Sequence, residues 1–131
     1  MITPIQFESG RMLSIPLAFS QTITKGMMLT WTGGYLVEAV AAEEVIDYVA
    51  MEAVTTTDAQ HTEILCYPAS QSRIRYEAGV TVATLAAQRG IAYETSTNLL
   101  IDNEATATAN GFMVDEIVGD TDDDLVRGYF L

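Results

Sequence analysis

The feature of this sequence that most constrains its fold is an internal repeat. Five short segments of the first half recur in the same order in the second half, and the members of each pair share apolar, small or charged positions. The pairs are Ile5–Gly10 with Ile74–Gly79, Lys25–Thr30 with Arg89–Glu94, Tyr35–Glu38 with Leu99–Asp102, Val49–Val54 with Phe112–Ile117, and Glu63–Tyr67 with Leu125–Tyr129. The offset falls from 69 residues to about 62, which requires a gap of about five residues after the first pair. This order predicts two divergent copies of one small structural unit.

The repeat divides the chain into two predicted modules, residues 1–68 and residues 69–131. Of the 18 acidic and 6 basic residues, the first module holds 8 and 2 and the second holds 10 and 4, so each carries a net charge of −6. A chain of 131 residues has room for two very small modules or for one compact domain in which they share a core. Both arrangements are compatible with the sequence.

Each module is predicted to be mostly β, in the form of a small barrel or sandwich. Short apolar segments alternate with turn-forming residues at intervals of roughly 8–14 residues, which is typical of such folds. In the first module, strands at Met27–Trp31 and Tyr35–Val40 flank Thr32–Gly34, where two glycines tolerate the positive φ of a tight hairpin turn. The second module has Ser96–Asn98 at the corresponding turn, and asparagine is the next-best residue there.

Three other segments are predicted to depart from regular strands. Pro16 lies inside Met12–Phe19, so a strand there is expected at a sheet edge or interrupted. The segment near residues 81–89, with Thr81 as a cap and Gly90 as a terminator, allows at most one short helix. Residues 39–47 are ambiguous. For both of these segments we favour a loop, because neither is long enough for a stable helix.

The acidic composition excludes several classes of partner. The net charge of −12 is repelled by nucleic-acid phosphates and by anionic membranes. We therefore expect no nucleic acid and no membrane among the partners, and a bias toward basic protein surfaces. The single cysteine, Cys66, excludes an internal disulfide, and Met1–Glu8 lacks the basic and apolar regions of a signal peptide. These features predict a protein made in the cytoplasm.

Residues that carry catalysis are sparse, so we predict no catalytic residue and no enzyme activity. His61, the only histidine, lies in the polar segment Thr55–Thr62 and is expected to be an exposed loop side chain, since no nucleophile motif accompanies it. Cys66 lies in the apolar segment Ile64–Tyr67, where a buried, unreactive thiol is expected. One cysteine and one histidine cannot assemble a structural zinc site.

The acidic run at residues 120–124 is the segment most similar to a metal site. Three of its carboxylates follow the start of an EF-hand calcium loop: Asp120, Asp122 and Asp124. The rest of that pattern fails, because Leu125 stands where the loop needs glycine and Leu131 where it needs glutamate. We therefore predict a solvated acidic turn, with a weak cation site as the alternative, and neither metal ligands nor cofactor-binding residues.

The two ends of the chain and one aromatic pair complete the candidate surface features. Met1–Phe7 is apolar and β-prone, and it either orders on a partner or packs back on its own barrel. Val126–Leu131 is an apolar strand that should be docked in its own core or against a neighbour. Trp31 and Tyr35 lie across the first hairpin, where cross-strand core packing is favoured over a carbohydrate-binding platform.

The order of segments in the first module resembles that of tailed-phage capsid decoration proteins, also called cement proteins. Those proteins commonly show a glycine followed by an apolar strand, then a glycine-containing turn, then a strand with a Gly-Val-Ala-like segment. The segments that match are Lys25–Leu29, Gly33–Val37 and Val49–Glu52, and the second module matches the outline more loosely. The chain departs from the pattern at Tyr48, where a glycine often precedes Val-Ala.

The resemblance implies a small β-rich virion protein, made in the host cytoplasm, that binds the outer surface of an assembled head. It implies self-association as a homotrimer and clamping of neighbouring major capsid protein subunits without catalysis. No site residue carries over, because the family has no motif to carry. Two alternatives remain open at this point: a soluble β-barrel module that binds a carbohydrate or another ligand, and another phage structural component such as a fibre base or head–tail joining protein.

Overall fold

The computed structural model of the chain describes residues 2–7, 12–40, 45–69, 74–82, 84, 86–97, 99–118 and 125–131. Over these residues the chain is almost entirely β, as the sequence predicts. The strands are β1 (Ile2–Phe7), β2 (Leu13–Pro16), β3 (Thr22–Ile23), β4 (Met28–Thr32), β5 (Tyr35–Glu38), β6 (Tyr48–Ala50), β7 (Val54–Thr55), β8 (Glu63–Pro68), β9 (Ile74–Val80), β10 (Ala92–Thr95), β11 (Leu100–Thr106), β12 (Phe112–Val118) and β13 (Leu125–Phe130).

The second half of the chain forms a closed five-stranded barrel. Its strands follow the order β9-β11-β10-β12-β13, and β13 pairs back with β9 to close the ring. All neighbours are antiparallel except β11 and β9, which run parallel through Leu100–Gly79 and Ile101–Val80. The N-terminal strand β1 joins this barrel as a sixth strand, because it pairs antiparallel with the first part of β9. The N-terminal segment therefore packs back on its own chain, and on the second barrel.

The first half forms a five-stranded sheet with the order β2-β8-β6-β4-β5, and a short β3–β7 pair lies beside it. A parallel bridge between Leu17 and Leu36 joins the two outer strands of this sheet, so it curls into a nearly closed barrel. The backbone N–H of Ala18 donates to Leu36 O at 2.9 Å in the same place. In the second barrel the N–H of Thr81 donates to Ile101 O at 3.2 Å, which is the equivalent bond.

The two barrels have the same topology. In chain order, β2, β4, β5, β6 and β8 of the first barrel correspond to β9, β10, β11, β12 and β13 of the second, and each neighbouring pair runs in the same relative direction. Backbone hydrogen bonds repeat as well. Gly26 N–H donates to Ala50 O at 2.8 Å, and 64 positions later Gly90 N–H donates to Val114 O at 2.7 Å. Both glycines have positive φ, 87° and 81°. The duplication is thus a property of the backbone, although the two sequences have diverged.

The structure replaces the first of the five sequence matches. It also shifts the third and fourth by one residue, because Leu36 is equivalent to Ile101 and Ala50 to Val114. Ile5–Gly10 was aligned with Ile74–Gly79, but Phe7 and Ile74 are pairing partners between β1 and β9 and do not occupy equivalent positions. The true equivalent of β9 is β2, because Leu17 and Val80 make the matching parallel contact at an offset of 63. With this assignment the five-residue gap disappears. Two strands that are neighbours in one sheet share an alternation of apolar residues, and this produced the false match.

The turns and edges predicted from the sequence are confirmed. Gly33 and Gly34 form the β4–β5 turn with φ of 58° and 87°. In the second barrel Ser96 N–H donates to Leu100 O at 3.0 Å across the corresponding β10–β11 turn. Pro16 ends β2, which pairs with β8 at the edge of its sheet. Within residues 81–89, the described part contains a single 3₁₀ turn at Ala86–Gln88.

The apolar interior divides into two clusters of different chemistry. The first barrel is filled mainly by aliphatic side chains: Leu17, Ile23, Leu29, Leu36 and Ile64. The second is filled around the rings of Tyr76, Phe112 and Phe130, and Phe130 contacts each of the other two edge to face. The outward-facing Met28 and Val49 of the first barrel belong to this second cluster, so the barrels meet through apolar side chains. The division at residues 68 and 69 stays a prediction.

Candidate interaction surfaces

The outer face of the second barrel carries a network of ion pairs across β9, β13 and β12. Arg127 Nε lies 3.1 Å from Glu77 Oε2, and Arg127 Nη1 lies 3.5 Å from Glu116 Oε1. Arg75 Nη2 lies 2.8 Å from Glu116 Oε2 and also bonds the carboxylate of Asp115. The two arginines therefore pair with three carboxylates on one face. This network was not predicted from the sequence, although the alternating charges of Arg75 and Glu77 in β9 are a signal for it.

The network favours the charged forms of two of its members, Glu116 and Arg75. The hydrogen bond from Arg75 is the main reason that the pKa of Glu116 lies below its ordinary value of 4.5, and the charge of Arg127 adds to it. In turn, the hydrogen bonds to Asp115 and Glu116 raise the pKa of Arg75 above its ordinary value. All these side chains are partly exposed, so each pair contributes little to the free energy of unfolding.

The same face of the first barrel has a different character. The cross-strand pair Glu77–Arg127 of the second barrel corresponds to Ser14–Leu65 in the first, and Arg75 corresponds to Met12. Leu65 and Met12 are 40% and 42% exposed, so two apolar side chains face solvent where the other barrel has arginines. We call the outer surface formed by Met12, Ser14, Glu63 and Leu65 the β2–β8 face.

The carboxylates of the β2–β8 face and its border accept hydrogen bonds from neutral donors. Glu63 Oε2 accepts from Ser14 Oγ at 3.0 Å, and Glu52 Oε1 accepts from Leu65 N at 2.9 Å. Because Ala50 and Val114 occupy equivalent positions, Glu52 corresponds to Glu116, which binds both arginines in the second barrel. The ion pairs of Arg75, Glu77 and Arg127 have no counterpart at the corresponding positions of the first barrel, which hold Met12, Ser14 and Leu65. The β2–β8 face is therefore apolar in its centre and negatively charged beside it.

A stack of three rings lies at one end of the first barrel. The ring of His61 is sandwiched between Tyr35, at a centroid distance of 3.6 Å, and Phe19, at 3.9 Å. Its Nδ1 lies 2.8 Å from the carbonyl oxygen of Leu17. His61 is thus half-buried and fixed, and the prediction of an exposed loop histidine is wrong. The stack ties together the segment after β2, the β4–β5 hairpin and the loop before β8, while Phe19 stays 44% exposed.

Trp31 and Tyr35 do not form the aromatic pair that their positions in the hairpin indicate. Trp31 pairs with Leu36 and Tyr35 with Thr32, so the two rings project from opposite faces of the hairpin. Trp31 contacts Tyr48 edge to face at 5.7 Å and is 44% exposed. Neither core packing between them nor a shared platform is therefore present.

The remaining candidates for chemistry are structural or lie outside the described residues. Cys66 is buried as predicted, and burial raises the pKa of its thiol to about 12, which disfavours the reactive thiolate. The acidic run at residues 120–124 lies outside the described residues. Elsewhere in the described part of the chain, no three histidine, cysteine or carboxylate side chains are grouped as metal ligands.

A buried polar cluster joins β11 to the segment between β9 and β10. The amide of Asn103, only 2% exposed, donates to Val82 O at 3.1 Å and to Gln88 Oε1 at 3.2 Å. Gln88 Nε2 donates to the backbone carbonyl oxygen of Asn103 at 2.9 Å, and Val82 N–H donates to Asn103 Oδ1 at 3.2 Å. Because its polar groups bond one another, the cluster can be buried without the cost of unpaired donors and acceptors.

Comparisons with protein-family models, with curated proteins and with solved structures found no match to the chain. Among the described residues, no helix has both the length and the apolar composition that a membrane-spanning helix needs.

Proposed function

We propose that this protein is a non-catalytic virion protein that binds the outer surface of an assembled phage capsid and clamps neighbouring major capsid subunits. The observation that carries the proposal is the pair of equivalent barrels joined through apolar side chains. A body with two similar frameworks can contact two neighbouring subunits of a shell at once. Such double engagement binds far more strongly than either contact alone and resists local dissociation.

The surface chemistry fits this role. The net charge of −12 favours encounters with basic protein surfaces and keeps the free protein soluble before it docks. Exposed apolar side chains such as Leu65 and Phe19 supply area that a partner can bury. The likeness of the first module to decoration proteins points the same way, and by that likeness we propose a homotrimer in the virion, made in the host cytoplasm.

The test is co-sedimentation of the purified protein with assembled heads and, separately, with free major capsid subunits. We expect binding to assembled heads only, because the clamp requires adjacent subunits, and we expect bound heads to rupture at a higher temperature than bare heads. Equal binding to free subunits, or bound heads that rupture at the unchanged temperature, would contradict the proposal.

A carbohydrate-binding module is the second candidate, and the exposure of Trp31 and Phe19 favours it. Exposed aromatic rings provide the flat apolar surface that sugars stack upon. A glycan array separates the two functions: selective binding that is lost in Trp31→Ala or Phe19→Ala supports this alternative, whereas the capsid-binding function predicts no selective signal.

A further inference from the structure

We infer that the free edge of β2 accepts an extended strand of a partner protein, one that alternates apolar and basic residues. The second barrel supplies the template, since β1 occupies the equivalent edge of β9. This inference deepens the proposed function, on which it rests for the identity of the partner, a capsid subunit. Addition of a strand to an exposed sheet edge is a general mode of protein recognition.

The backbone of β2 leaves hydrogen-bonding groups on its outer edge. Leu17 N–H donates to Thr62 O at 3.0 Å, toward β8. Since successive residues of a strand direct these groups to opposite sides, Leu13 and Ile15 also face β8, whereas Ser14 faces away. In the second barrel the corresponding residue, Glu77, pairs with Thr3 of β1. Within the described ranges, only the bridge at Leu17 covers this edge of β2.

The burial of the inward side chains shows the effect of an added strand. In β9, Tyr76 and Ala78 are fully buried, and Ile2 of β1 lies in the same apolar cluster with 1% exposure. Leu13 and Ile15 occupy the corresponding positions of β2 and are only partly buried. An apolar residue from a strand beside β2 would therefore cover them, as Ile2 helps to cover β9.

The charge on the outer surface selects the partner. The hydrogen bond to Ser14 Oγ holds the carboxylate of Glu63 over the residue that faces the free edge. A lysine or arginine opposite Ser14 on an incoming strand would lie beside this carboxylate. Apolar side chains inward and basic side chains outward are therefore the complementary pattern.

A second copy of this chain fits the edge less well. Its most suitable strand, β1, carries no basic residue and is already paired with β9. Pro16, which has no N–H, also shortens the edge to the stretch around Ser14, a device that limits unwanted pairing between copies.

The test uses the full-length protein and a short blocked peptide that alternates valine and lysine. Nuclear magnetic resonance should show slowed amide exchange at Ser14 on addition of this peptide, and no change with a peptide that alternates valine and glutamate. Ser14→Pro removes the outward N–H, so binding should weaken about tenfold, whereas Ser14→Ala, which keeps it, should bind within about threefold of the original protein. Glu63→Gln should weaken lysine-peptide binding about threefold, and Asp58→Asn, on an exposed loop, should leave it unchanged.

Slowed exchange elsewhere than at β2, equal binding of both peptides, or full binding by Ser14→Pro would overturn the inference. If Ser14→Pro does not fold, Glu63→Gln and the peptide pair decide the question. A dimer that forms without peptide and buries β2 would also overturn it, in favour of a second copy. The proposed function fails separately: if the peptide binds at β2 but the protein does not bind heads, the edge site stands and the capsid assignment falls. If heads bind equally well to Ser14→Pro and Ser14→Ala, the capsid assignment stands and the edge site falls.

Discussion

The two barrels share a backbone and distribute their side chains in opposite ways. The second barrel has an aromatic core, ion pairs across its outer face, and β1 paired along the edge of β9 that corresponds to the free edge of β2. The first has an aliphatic core, its ring stack at the surface, and apolar side chains on the β2–β8 face. The comparison teaches that the hydrogen-bonded framework fixes the fold, whereas the surface is free to diverge. The first barrel therefore exposes apolar side chains at positions where the second barrel has ion pairs.

The strongest test of the difference between the two cores uses one equivalent position, which is Gly128 in the second barrel and Cys66 in the first. A Cβ at Gly128 would overlap the carbonyl oxygen of Met113 and lie 3.1 Å from the ring of Phe112. We expect Gly128→Ala to lower the free energy of unfolding by about 3 kcal/mol or more, measured by urea denaturation. Cys66→Ala, the matched change, should cost about 1 kcal/mol. Equal effects would mean that the cores do not differ as described.

The buried polar cluster around Asn103 should give the next largest effect on stability. Asn103→Ala removes the side-chain amide that bonds Val82 N–H, Val82 O and Gln88 Oε1, so we expect a loss of about 2 kcal/mol in a urea titration. In the first barrel the hydroxyl of Thr56 donates to Ala18 O at 2.8 Å and accepts from Gln21 N at 2.7 Å. Thr56→Val should therefore cost about 1 kcal/mol. A larger loss for Thr56→Val than for Asn103→Ala would reverse the assigned roles.

The ring stack of the first barrel should give a smaller effect. His61→Ala removes both ring contacts and the bond to Leu17 O, for an expected loss of about 1.5 kcal/mol. His61→Phe keeps a ring between Phe19 and Tyr35 and should recover about half of that loss. Thermal unfolding of the three proteins measures this difference. No recovery by phenylalanine would show that the hydrogen bond alone fixes the loop.

The ion pairs of the second barrel should give the smallest effect, visible as a pH dependence. The pKa of Glu116 is lowered in the folded protein, so its stabilisation is fully present above the ordinary value of 4.5 and is lost as the pH falls through the lower folded value. We expect Arg75→Met to flatten the decline of unfolding midpoints in this acidic range, whereas Lys25→Met, the same charge change in the first barrel, should not. Parallel curves for Arg75→Met and the original protein would contradict this.

The local features of the fold followed from local sequence, and the features that join distant segments did not. The glycines at residues 33 and 34 and the proline at residue 16 fix a turn and an edge by their own backbone chemistry, and the sequence analysis identified both. Closure of the barrels depends on parallel contacts such as Leu17 with Leu36, which no local pattern encodes. The alignment of β1 with β9 failed for a related reason, because similarity between two strands does not distinguish partners from equivalents.

The candidate surfaces were predictable only in part. The buried thiol of Cys66 followed from its apolar strand. The stack around His61 did not, because Phe19 and Tyr35 reach it from two other segments of the chain. The match of Glu63–Tyr67 with Leu125–Tyr129 already placed Leu65 at the position of Arg127, but the sequence did not show that these side chains lie on the outer face.

The pairing of β1 with β9 has a consequence for the order of events at the ribosome. The whole first barrel lies between these two strands in the chain, so β1 is synthesised early and must wait until Ile74–Ala78 has emerged before it can pair. The first barrel contains all of its own strands and has no such delay. We expect the first barrel to fold first, and β1 to pair with β9 among the last steps.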